Sequence, residues 1–225
     1  MCSYRVQPLA LTLPSQGALT ITPDIPQENH TTYVCYEFTV GHKADAPISK
    51  FEATLTVPPF SKDGRHIFVA GLTNQAKNYA YENRLSDHNP GKWEVDLIHD
   101  HGGIATENNI LPGDKIHTLL EYNQAGLKTR FTTQAANIQQ EAPTAGKLNV
   151  ARLYVAFSKC GVWDFGPILW EDVTISSQTT DPWWCNDVWK ASDNLQVTGR
   201  VTMFWGNGDK TNCKYEHMTW EPSKK

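Results

Sequence analysis

The sequence contains no uninterrupted apolar run that approaches the roughly 18 residues of a membrane-spanning helix. It also has no surplus of basic residues, because 20 lysines and arginines stand against 24 aspartates and glutamates, which gives a net charge of −4. Such a balance offers no electrostatic footprint for nucleic acid or for an anionic membrane surface. We therefore expect a soluble chain that has neither a membrane nor a nucleic acid as its partner.

Motifs of cofactor chemistry are missing as well. The sequence has no GxSxG elbow, no HExxH helix, no phosphate-binding loop and no dinucleotide fingerprint. Its five cysteines include no CxxC pair, so the spacing of a structural zinc site is absent. These absences predict a protein that uses no cofactor and no metal. They do not bear on the oligomeric state, which stays open.

Five is an odd number of cysteines, so at least one thiol is left unpaired. If the protein is secreted, we expect Cys185 to be bridged to Cys160 or Cys213, and Cys2 to be free. The triplet NHT at Asn29 would then be a glycosylation site. The N-terminal residues lack the basic start and clean apolar segment of a secretion signal. Localisation therefore stays open between secreted and cytoplasmic.

What the sequence does contain is a succession of short segments that are rich in β-branched and aromatic residues and bounded by Gly, Pro, Asn or Asp. No convincing helical pattern lies between them. Ala125-Gly126 between two alternating runs predicts a hairpin, and LPGDKI at 111–116 predicts a turn that leads into a strand. The nine predicted strands are 33–40, 51–57, 66–72, 92–98, 115–122, 127–133, 152–157, 168–175 and 197–205.

These strands predict an all-β fold, namely a two-sheet antiparallel β-sandwich or jelly roll, with a closed barrel as the second choice. A chain of 225 residues can bury the core of one such domain. We predict a single domain over 31–225 that follows an extended, proline-punctuated arm over 1–30. The segment 134–147 is predicted to be the longest polar connection.

The stretch KWEVDLIHDHGG at 92–103 combines carboxylates with histidines and therefore suggests a metal site. Alternation along a strand places Trp93 on the core face and Glu94 and Asp96 on the opposite face. The polar residues that follow fall where the strand runs into a Gly-Gly pair, and adjacent loop residues often point apart. We predict that they form a solvated rim of the sheet and bind no metal; they are His99, Asp100 and His101.

The same alternation predicts an outer face on other strands. Arg152 and Tyr154 point outward, because the residues that alternate with them on their strand face the core. Arg130 points outward on its own strand for the same reason. Alternation along 168–175 is ambiguous, and we assign Trp170 outward. A mixture of aromatic and polar side chains is typical of a binding groove, although solvated charges covered by loops are the alternative. The predicted outer face holds Tyr154, Trp170, Glu94, Asp96, Glu121 and Arg130.

Tryptophan is frequent, with eight residues in the chain and five of them between positions 163 and 189. That is more than a sandwich core needs, so some must be packed by loops or exposed to a ligand. Trp183-Trp184 is the most loop-like pair. A bridge from Cys185 would pin this loop against the sheet and make it one wall of a pocket.

Over roughly residues 50–180, the order of strands and the segments LPGDKI, ARLYVAF and DFGPILWEDVTI resemble the concanavalin A-like sandwich of fungal glutamic peptidases. In those enzymes a strand resembling AEW carries the catalytic glutamate as its second residue. The matching strand here begins Ala151, Arg152, Leu153, so arginine replaces the acid. The resemblance implies a concave outer sheet that holds a ligand, without the peptidase's catalytic glutamate.

The predicted sandwich is also similar in fold to fungal enzymes that guide hetero-Diels–Alder additions of tropolone-type quinone methides. This similarity implies a cofactor-independent enzyme of fungal secondary metabolism. In such an enzyme an aromatic-lined pocket orients a reactive small molecule for cyclisation or cycloaddition.

The alternative function is a lectin-like module that binds carbohydrate through aromatic faces and polar side chains. A glycoside hydrolase is a third choice, because Glu94 and Asp96 lie two residues apart on one strand face and partly match the ExDxxE pattern of laminarinase-like sandwiches. The expected partner is accordingly a small-molecule or carbohydrate ligand.

For the enzyme, we expect Arg130 and Arg152 to donate hydrogen bonds to a carbonyl or enolate oxygen and Glu94 or Asp96 to act as a base. A tryptophan would offer an apolar plane for a ring of the substrate. The predicted ligand-binding residues are Tyr154, Trp170, Tyr81, Trp183 and Trp184.

Overall fold

The computed structural model describes most of the chain beyond residue 32, and the arm predicted over 1–30 lies outside the described residues. Within the described part, no helix is long and apolar enough to cross a membrane. The described residues are 33–41, 46–61, 66–74, 80–87, 91–99, 102–123, 126–133, 137–143, 146–157, 163–179, 181, 184, 189–205 and 210–223.

The described residues form fourteen strands, named here in chain order. They are β1 (Tyr33–Gly41), β2 (Ile48–Thr56), β3 (His66–Thr73), β4 (Ala80–Ser86), β5 (Trp93–His99), β6 (Gly102–Ile110), β7 (Lys115–Asn123), β8 (Gly126–Thr132), β9 (Asn137–Ala142), β10 (Val150–Phe157), β11 (Ile168–Ser177), β12 (Trp189–Ala191), β13 (Leu195–Trp205) and β14 (Thr211–Pro222).

Two seven-stranded sheets contain all of these strands. The first sheet has the order β12-β1-β10-β3-β4-β5-β6, and the second has the order β13-β14-β11-β2-β7-β8-β9. Every neighbouring pair is antiparallel. The apolar inner faces of the sheets share one core. The predicted two-sheet antiparallel β-sandwich is therefore confirmed.

All nine predicted strands are present, and five further strands were not predicted. One of them, β9, occupies residues that were predicted to be part of a polar connection, and it pairs with β8 at the edge of the second sheet. Another, β4, carries charged residues on its outer face and an asparagine in the middle of its inner face, which interrupts the apolar alternation. The polar connection predicted over 134–147 therefore contains a strand in its central part.

The two predicted turns are confirmed. Asn123 pairs with Gly126 at the end of the β7–β8 hairpin, and the φ of Gly126 is 151°. In the LPGDKI turn, Gly113 has a φ of 90°, and the Asp114 amide donates to the Leu111 carbonyl over 3.1 Å. Glycine adopts such positive φ values at little cost, which explains its place in both turns.

Trp93 lies in the core as predicted. None of its surface is exposed, and its indole stacks on Phe60 with 5.8 Å between the ring centroids. The indole nitrogen donates a hydrogen bond to the Pro58 carbonyl over 3.1 Å, so the one polar atom of this side chain is satisfied.

Trp170 also lies inside the sandwich, with 2% of its surface exposed, so its predicted outward orientation is wrong. A β-bulge in β11 is the reason. From Glu171 to Thr174 this strand advances three residues while its partner β2 advances two. The bulge includes Asp172, whose φ of 50° is rare outside glycine. Because of the extra residue, both Trp170 and Val173 face the core, and simple alternation fails.

Cys35 and Cys213 are buried in the core, and neither is a free thiol. The remaining three cysteines, at positions 2, 160 and 185, lie outside the described residues. The predicted bridge from Cys185 therefore stays a prediction.

We predict that Trp93→Ala lowers the free energy of unfolding by about 3–5 kcal/mol, because it leaves a large cavity in a fully packed core. Urea denaturation followed by circular dichroism measures this change. Leu111→Ala serves as the control, because Leu111 is 64% exposed and its truncation should cost less than about 0.5 kcal/mol. Equal losses in the two variants would contradict the core placement of Trp93.

The bulge predicts a difference between two substitutions at Asp172. Both Asp172→Gly and Asp172→Ala remove the ion pair with Lys214, whose Nζ lies 2.8 Å from the carboxylate. Glycine accepts a φ of 50° and alanine does not, so the alanine variant should be less stable than the glycine variant by about 1 kcal/mol. Urea denaturation of the two variants side by side tests this, and an alanine variant as stable as the glycine variant would show that the bulge is not strained.

Candidate functional site

The outer face of the first sheet, which points away from the second sheet, carries a compact group of ionisable residues. We call this group the outer cluster, and it lies on three strands, β1, β10 and β4, with β3 running between the last two. Strand register brings its members side by side, because Glu37 pairs with Tyr154 across β1 and β10, and Gly71 pairs with both Arg152 and Glu82. The members are Glu37, Glu82, Arg84, Arg152 and Tyr154.

Glu82 is the centre of the outer cluster. Its Oε1 accepts a hydrogen bond from the Tyr154 hydroxyl over 2.9 Å, and its Oε2 accepts one from Arg84 Nε over 2.8 Å. A second nitrogen of the same guanidinium also donates to Oε2. Arg152 Nη1 lies 3.9 Å from Oε1. Although Glu82 is only 5% exposed, both of its carboxylate oxygens are satisfied.

Arg152 connects the two carboxylates of the outer cluster. Its Nε donates to Glu37 Oε1 over 2.7 Å, while its guanidinium carbon lies 4.6 Å from the centre of the Tyr154 ring. This position over an aromatic face is favourable for a cation. Arg152 is therefore held between Glu37, Tyr154 and Glu82.

Gly71 allows the outer cluster to form across β3. A Cβ atom at this position would lie 2.8 Å from the Tyr81 carbonyl oxygen and 3.1 Å from Glu82 Cγ, both too close. The stem of Glu82 therefore lies where a side chain of β3 would otherwise stand. Since β4 and β10 are two strand spacings apart, or about 9.6 Å, this path brings the carboxylate within reach of Tyr154.

The protonation states in the outer cluster follow from burial and from charge. Burial alone would raise the pKa of Glu82, but the charges and hydrogen bonds of Arg84, together with Arg152 and the Tyr154 hydroxyl, hold that pKa below its usual value. Burial and the neighbouring Glu82 raise the pKa of Tyr154. Burial lowers the pKa of Arg84, but its attraction to Glu82 outweighs this and raises it. At neutral pH the cluster thus contains an ionised carboxylate, charged arginines and a protonated phenol.

The chemistry available to a ligand here is mainly that of hydrogen-bond donors. The side chains of Arg84 and Arg152 are 25% and 13% exposed, and each guanidinium has five N–H donors in a fixed fork. Beside them on the same face lies a small apolar group of buried residues that packs separately from the main core. It consists of Ile67, Val69, Tyr154 and Ala156, with the half-buried Val34 against it. The outer cluster therefore combines oxygen-binding groups with an apolar neighbour.

The structure brings together some of the predicted site residues. Arg152 and Tyr154 meet in the outer cluster, and Asp96 lies opposite Arg84 on the neighbouring strand, where its charge helps to raise the pKa of Arg84. Glu94 is on the same strand face but opposite Ser86, two residue pairs further along.

Other predicted site residues lie elsewhere. Arg130 and Glu121 are on the outer face of the second sheet, on the opposite side of the sandwich, so the single outer face predicted for them with Tyr154 is wrong. The reason is that alternation tells inward from outward but not which sheet a strand joins. Tyr81 is fully buried, and its hydroxyl donates to the Pro143 carbonyl over 2.9 Å.

The predicted tryptophan wall of the pocket is not supported by the described residues. Trp184 is 1% exposed and packs in the core, as Trp170 does. Trp183 lies outside the described residues, and its role stays a prediction.

The rim prediction for His99, Asp100 and His101 also stays open. Asp100 and His101 lie outside the described residues, and of His99 only the backbone at the end of β5 is described. Among the residues whose side chains are described, no group of three or more His, Cys, Asp or Glu could hold a metal ion.

Sequence reasoning missed Glu82, Arg84 and Glu37. Glu82 and Arg84 belong to β4, which was not predicted, yet YENRL does contain a signal. The two charged residues are two positions apart and lie between the apolar Tyr81 and Leu85, which is the pattern of a strand with one polar face. Glu37 lay in a predicted strand, but no partner for it could be named before the sheet order was known.

The outer face of the second sheet also carries charges, but it resembles an ordinary solvated surface. Its ion pairs include Lys115 with Glu171 at 2.6 Å and Lys50 with Glu52 at 2.9 Å. The two lysines are 60% and 37% exposed, and exposed pairs contribute about 0–1 kcal/mol each. The outer cluster differs from them because its central carboxylate is buried.

Comparison with known proteins gives a fold and no family. No family model matches the chain, and no curated protein matches it. Scytalido-glutamic peptidase, solved with a peptide-based transition-state analogue, is similar in structure with a TM-score of 0.54 at 10% sequence identity, over 82% of this chain and 100% of that one. SCP-B, a member of the eqolisin family of peptidases solved with the tripeptide Ala-Ile-His, gives a TM-score of 0.52 at 12% identity over the same shares.

These similarities confirm that the chain has the layout of the glutamic peptidase sandwich, as the resemblance of its segments implied. At such low identity they show the fold alone, and the activity has to be argued from the side chains.

The lowered pKa of Glu82 predicts a dependence of stability on pH. Because the folded state holds this proton less tightly than the unfolded state, the contribution of Glu82 is complete above its unfolded pKa of about 4.3 and is lost as the pH falls through its lower folded pKa. Glu82→Gln should therefore lower the free energy of unfolding by about 2–3 kcal/mol at pH 6 and by less at pH 3. Urea denaturation between pH 3 and pH 6 measures this difference.

The matched control is Glu216→Gln, because Glu216 lies on an exposed position of β14. Its effect should be small at every pH. If Glu82→Gln cost as much at pH 3 as at pH 6, the carboxylate would not be ionised in the folded protein.

Proposed function

We propose that this chain is a cofactor-independent enzyme that binds a small organic substrate at the outer cluster and orients it for cyclisation or cycloaddition. The observation that carries the proposal is the burial of the ionised Glu82 among two arginines and a phenol on an outer face. A buried ion pair seldom stabilises a fold more than apolar residues would, and strongly perturbed ionisable groups concentrate at functional sites.

Arg152 supports chemistry other than peptide hydrolysis. It occupies the strand position at which the resemblance to glutamic peptidases implies the catalytic glutamate, and it brings a permanent positive charge to that position. A guanidinium cannot take up a proton at neutral pH, so it cannot act as a general base. It can donate hydrogen bonds to an oxygen that gains negative charge.

In the proposed reaction, Arg152 and Arg84 donate to the carbonyl or enolate oxygen of the substrate and stabilise the charge that develops on it. Glu82 and Glu37 hold the two guanidinium groups in place, so little reorganisation is needed. Tyr154 stays protonated and keeps Glu82 oriented. The apolar residues beside the cluster would accept the hydrocarbon part of the substrate.

Such a step balances without a cofactor. In a hetero-Diels–Alder addition of a quinone methide, the oxygen and the exocyclic carbon each form one bond to the alkene, and π bonds are consumed. No proton, hydride or electron leaves the pair of substrates. The protein would contribute orientation and electrostatic stabilisation, which together can lower a barrier by several kcal/mol.

Two observations favour this proposal over the lectin-like alternative. Glu82 and Tyr154 are 5% and 4% exposed, which fits a closed site better than a shallow groove. A sugar-binding surface also needs aromatic rings open to solvent. Among the residues whose side chains are described, the one large hydrophobic side chain that is exposed is Leu111, which is not aromatic.

The proposal is tested with a reaction whose uncatalysed product is racemic. An o-quinone methide is released by photolysis of 2-(hydroxymethyl)phenol in the presence of ethyl vinyl ether, and chiral chromatography measures the enantiomeric excess of the 2-ethoxychroman. We expect an excess with the native protein and a racemate with Arg152→Gln. Arg130→Gln should retain the excess, because Arg130 lies on the other side of the sandwich.

Circular dichroism confirms that each variant is folded. A racemic product with the native protein, combined with saturable binding of a laminari-oligosaccharide in calorimetry, would overturn the proposal in favour of carbohydrate binding. Loss of the excess in both variants would place the site away from the outer cluster.

A further inference from the structure

A small cavity lies between the two sheets, on the inner side of β4. Its volume is about 20 Å³, and its walls are largely apolar, with Leu55, Phe68, Val95 and Ile116 among them. A single water molecule needs about 10–15 Å³ of such space, so the cavity has room for one. Apolar walls alone would leave a cavity of this size dry, and the polar groups in its lining decide whether water binds.

Four residues of the lining have polar side chains, namely Asn83, Arg84, Thr118 and Trp170. The Arg84 guanidinium is bound to Glu82 in the outer cluster, which leaves Asn83, Thr118 and Trp170 as the polar groups for this cavity. Asn83 is 5% exposed and Trp170 is 2% exposed. Neither Asn83 Oδ1 nor Trp170 Nε1 has a hydrogen-bond partner among the residues that the structure describes. An unpaired buried donor and an unpaired buried acceptor therefore belong to residues that line the same cavity, although buried polar atoms are normally paired.

The orientation of the Asn83 amide follows from its other contacts. Its Nδ2 donates to the Arg130 carbonyl oxygen over 3.2 Å and also to Thr118 Oγ1. A carbonyl oxygen can only accept a hydrogen bond, so the amide nitrogen must face Arg130 and the amide oxygen must face elsewhere. Oδ1 is thus an acceptor that needs a donor. Thr118 Oγ1 accepts from Asn83 and still has its own hydrogen to donate.

We infer that one ordered water molecule occupies this cavity. It accepts a hydrogen bond from Trp170 Nε1 and another from the Thr118 hydroxyl, and it donates one to Asn83 Oδ1. Three hydrogen bonds are the usual number for a buried water. The donor, acceptor and hydroxyl present here match that requirement.

This water would complete a polar bridge through the core of the sandwich. Asn83 lies on β4 between Glu82 and Arg84, whose side chains point to the opposite face in the outer cluster. Thr118 and Trp170 lie on β7 and β11 of the second sheet. The bridge would therefore tie the strand that carries the central carboxylate of the outer cluster to the opposite sheet.

Indole N–H resonances give a direct test. The protein is labelled with ¹⁵N-tryptophan, and the Trp170 Hε1 signal is assigned by its loss in Trp170→Phe. A pair of water-selected NOESY and ROESY spectra should show a cross-peak between Trp170 Hε1 and a long-lived water. The signs of this cross-peak in the two spectra should be those of dipolar transfer between protons and not those of chemical exchange.

Trp220 provides the internal control in the same spectrum. Its indole is fully buried, and its Nε1 also has no partner in the described part of the chain, but it does not line this cavity. Trp220 Hε1 should show no such cross-peak. Absence of the cross-peak at Trp170, or equal cross-peaks at both indoles, would overturn the assignment.

A crystal structure of the native protein at better than 1.8 Å resolution gives a second, independent readout. We expect one density peak about 2.8–3.1 Å from both Trp170 Nε1 and Asn83 Oδ1, the ordinary range of such hydrogen bonds. A cavity without density would contradict the proposal. These outcomes do not depend on the proposed enzymatic function, because neither measurement requires a substrate.

Discussion

Alternation of side chains along antiparallel strands is the constraint on which this structure depends, because the inner face of each sheet has to be buried against the other. Strand β4 shows its effect most clearly. Tyr81 and Leu85 point into the core, and the two charged residues between them, Glu82 and Arg84, must then point outward. The composition of the outer cluster is a direct consequence of what the core requires.

The outer cluster is stable because its charges compensate one another. Glu82 loses hydration when it is buried, but it gains hydrogen bonds from Arg84 and Tyr154 and the attraction of Arg152. Removal of one partner would leave a buried charge with less compensation, which is destabilising. Gly71 is equally necessary, because a side chain there would displace the stem of Glu82.

The fold alone does not decide what the protein does. Its similarity to glutamic peptidases extends over 82% of the chain, yet sequence identity is 10–12%. One fold can support different chemistries, because the function depends on the side chains of a site and not on the fold. Arginine at position 152 beside Tyr154 and Glu82 provides donors to an oxygen, and this is why the outer cluster and not the fold carries the proposed function.

The sequence by itself determined the all-β class, the sandwich, nine of the strands, both turns and the core position of Trp93, because these depend on local periodicity and turn chemistry. It also placed Arg152 and Tyr154 on an outer face. Only the tertiary structure decided which strands are neighbours, and therefore that Arg130 lies on the opposite side from Tyr154. The bulge at Asp172 likewise turned Trp170 inward, because one extra residue inverts the alternation and depends on pairing with distant strands.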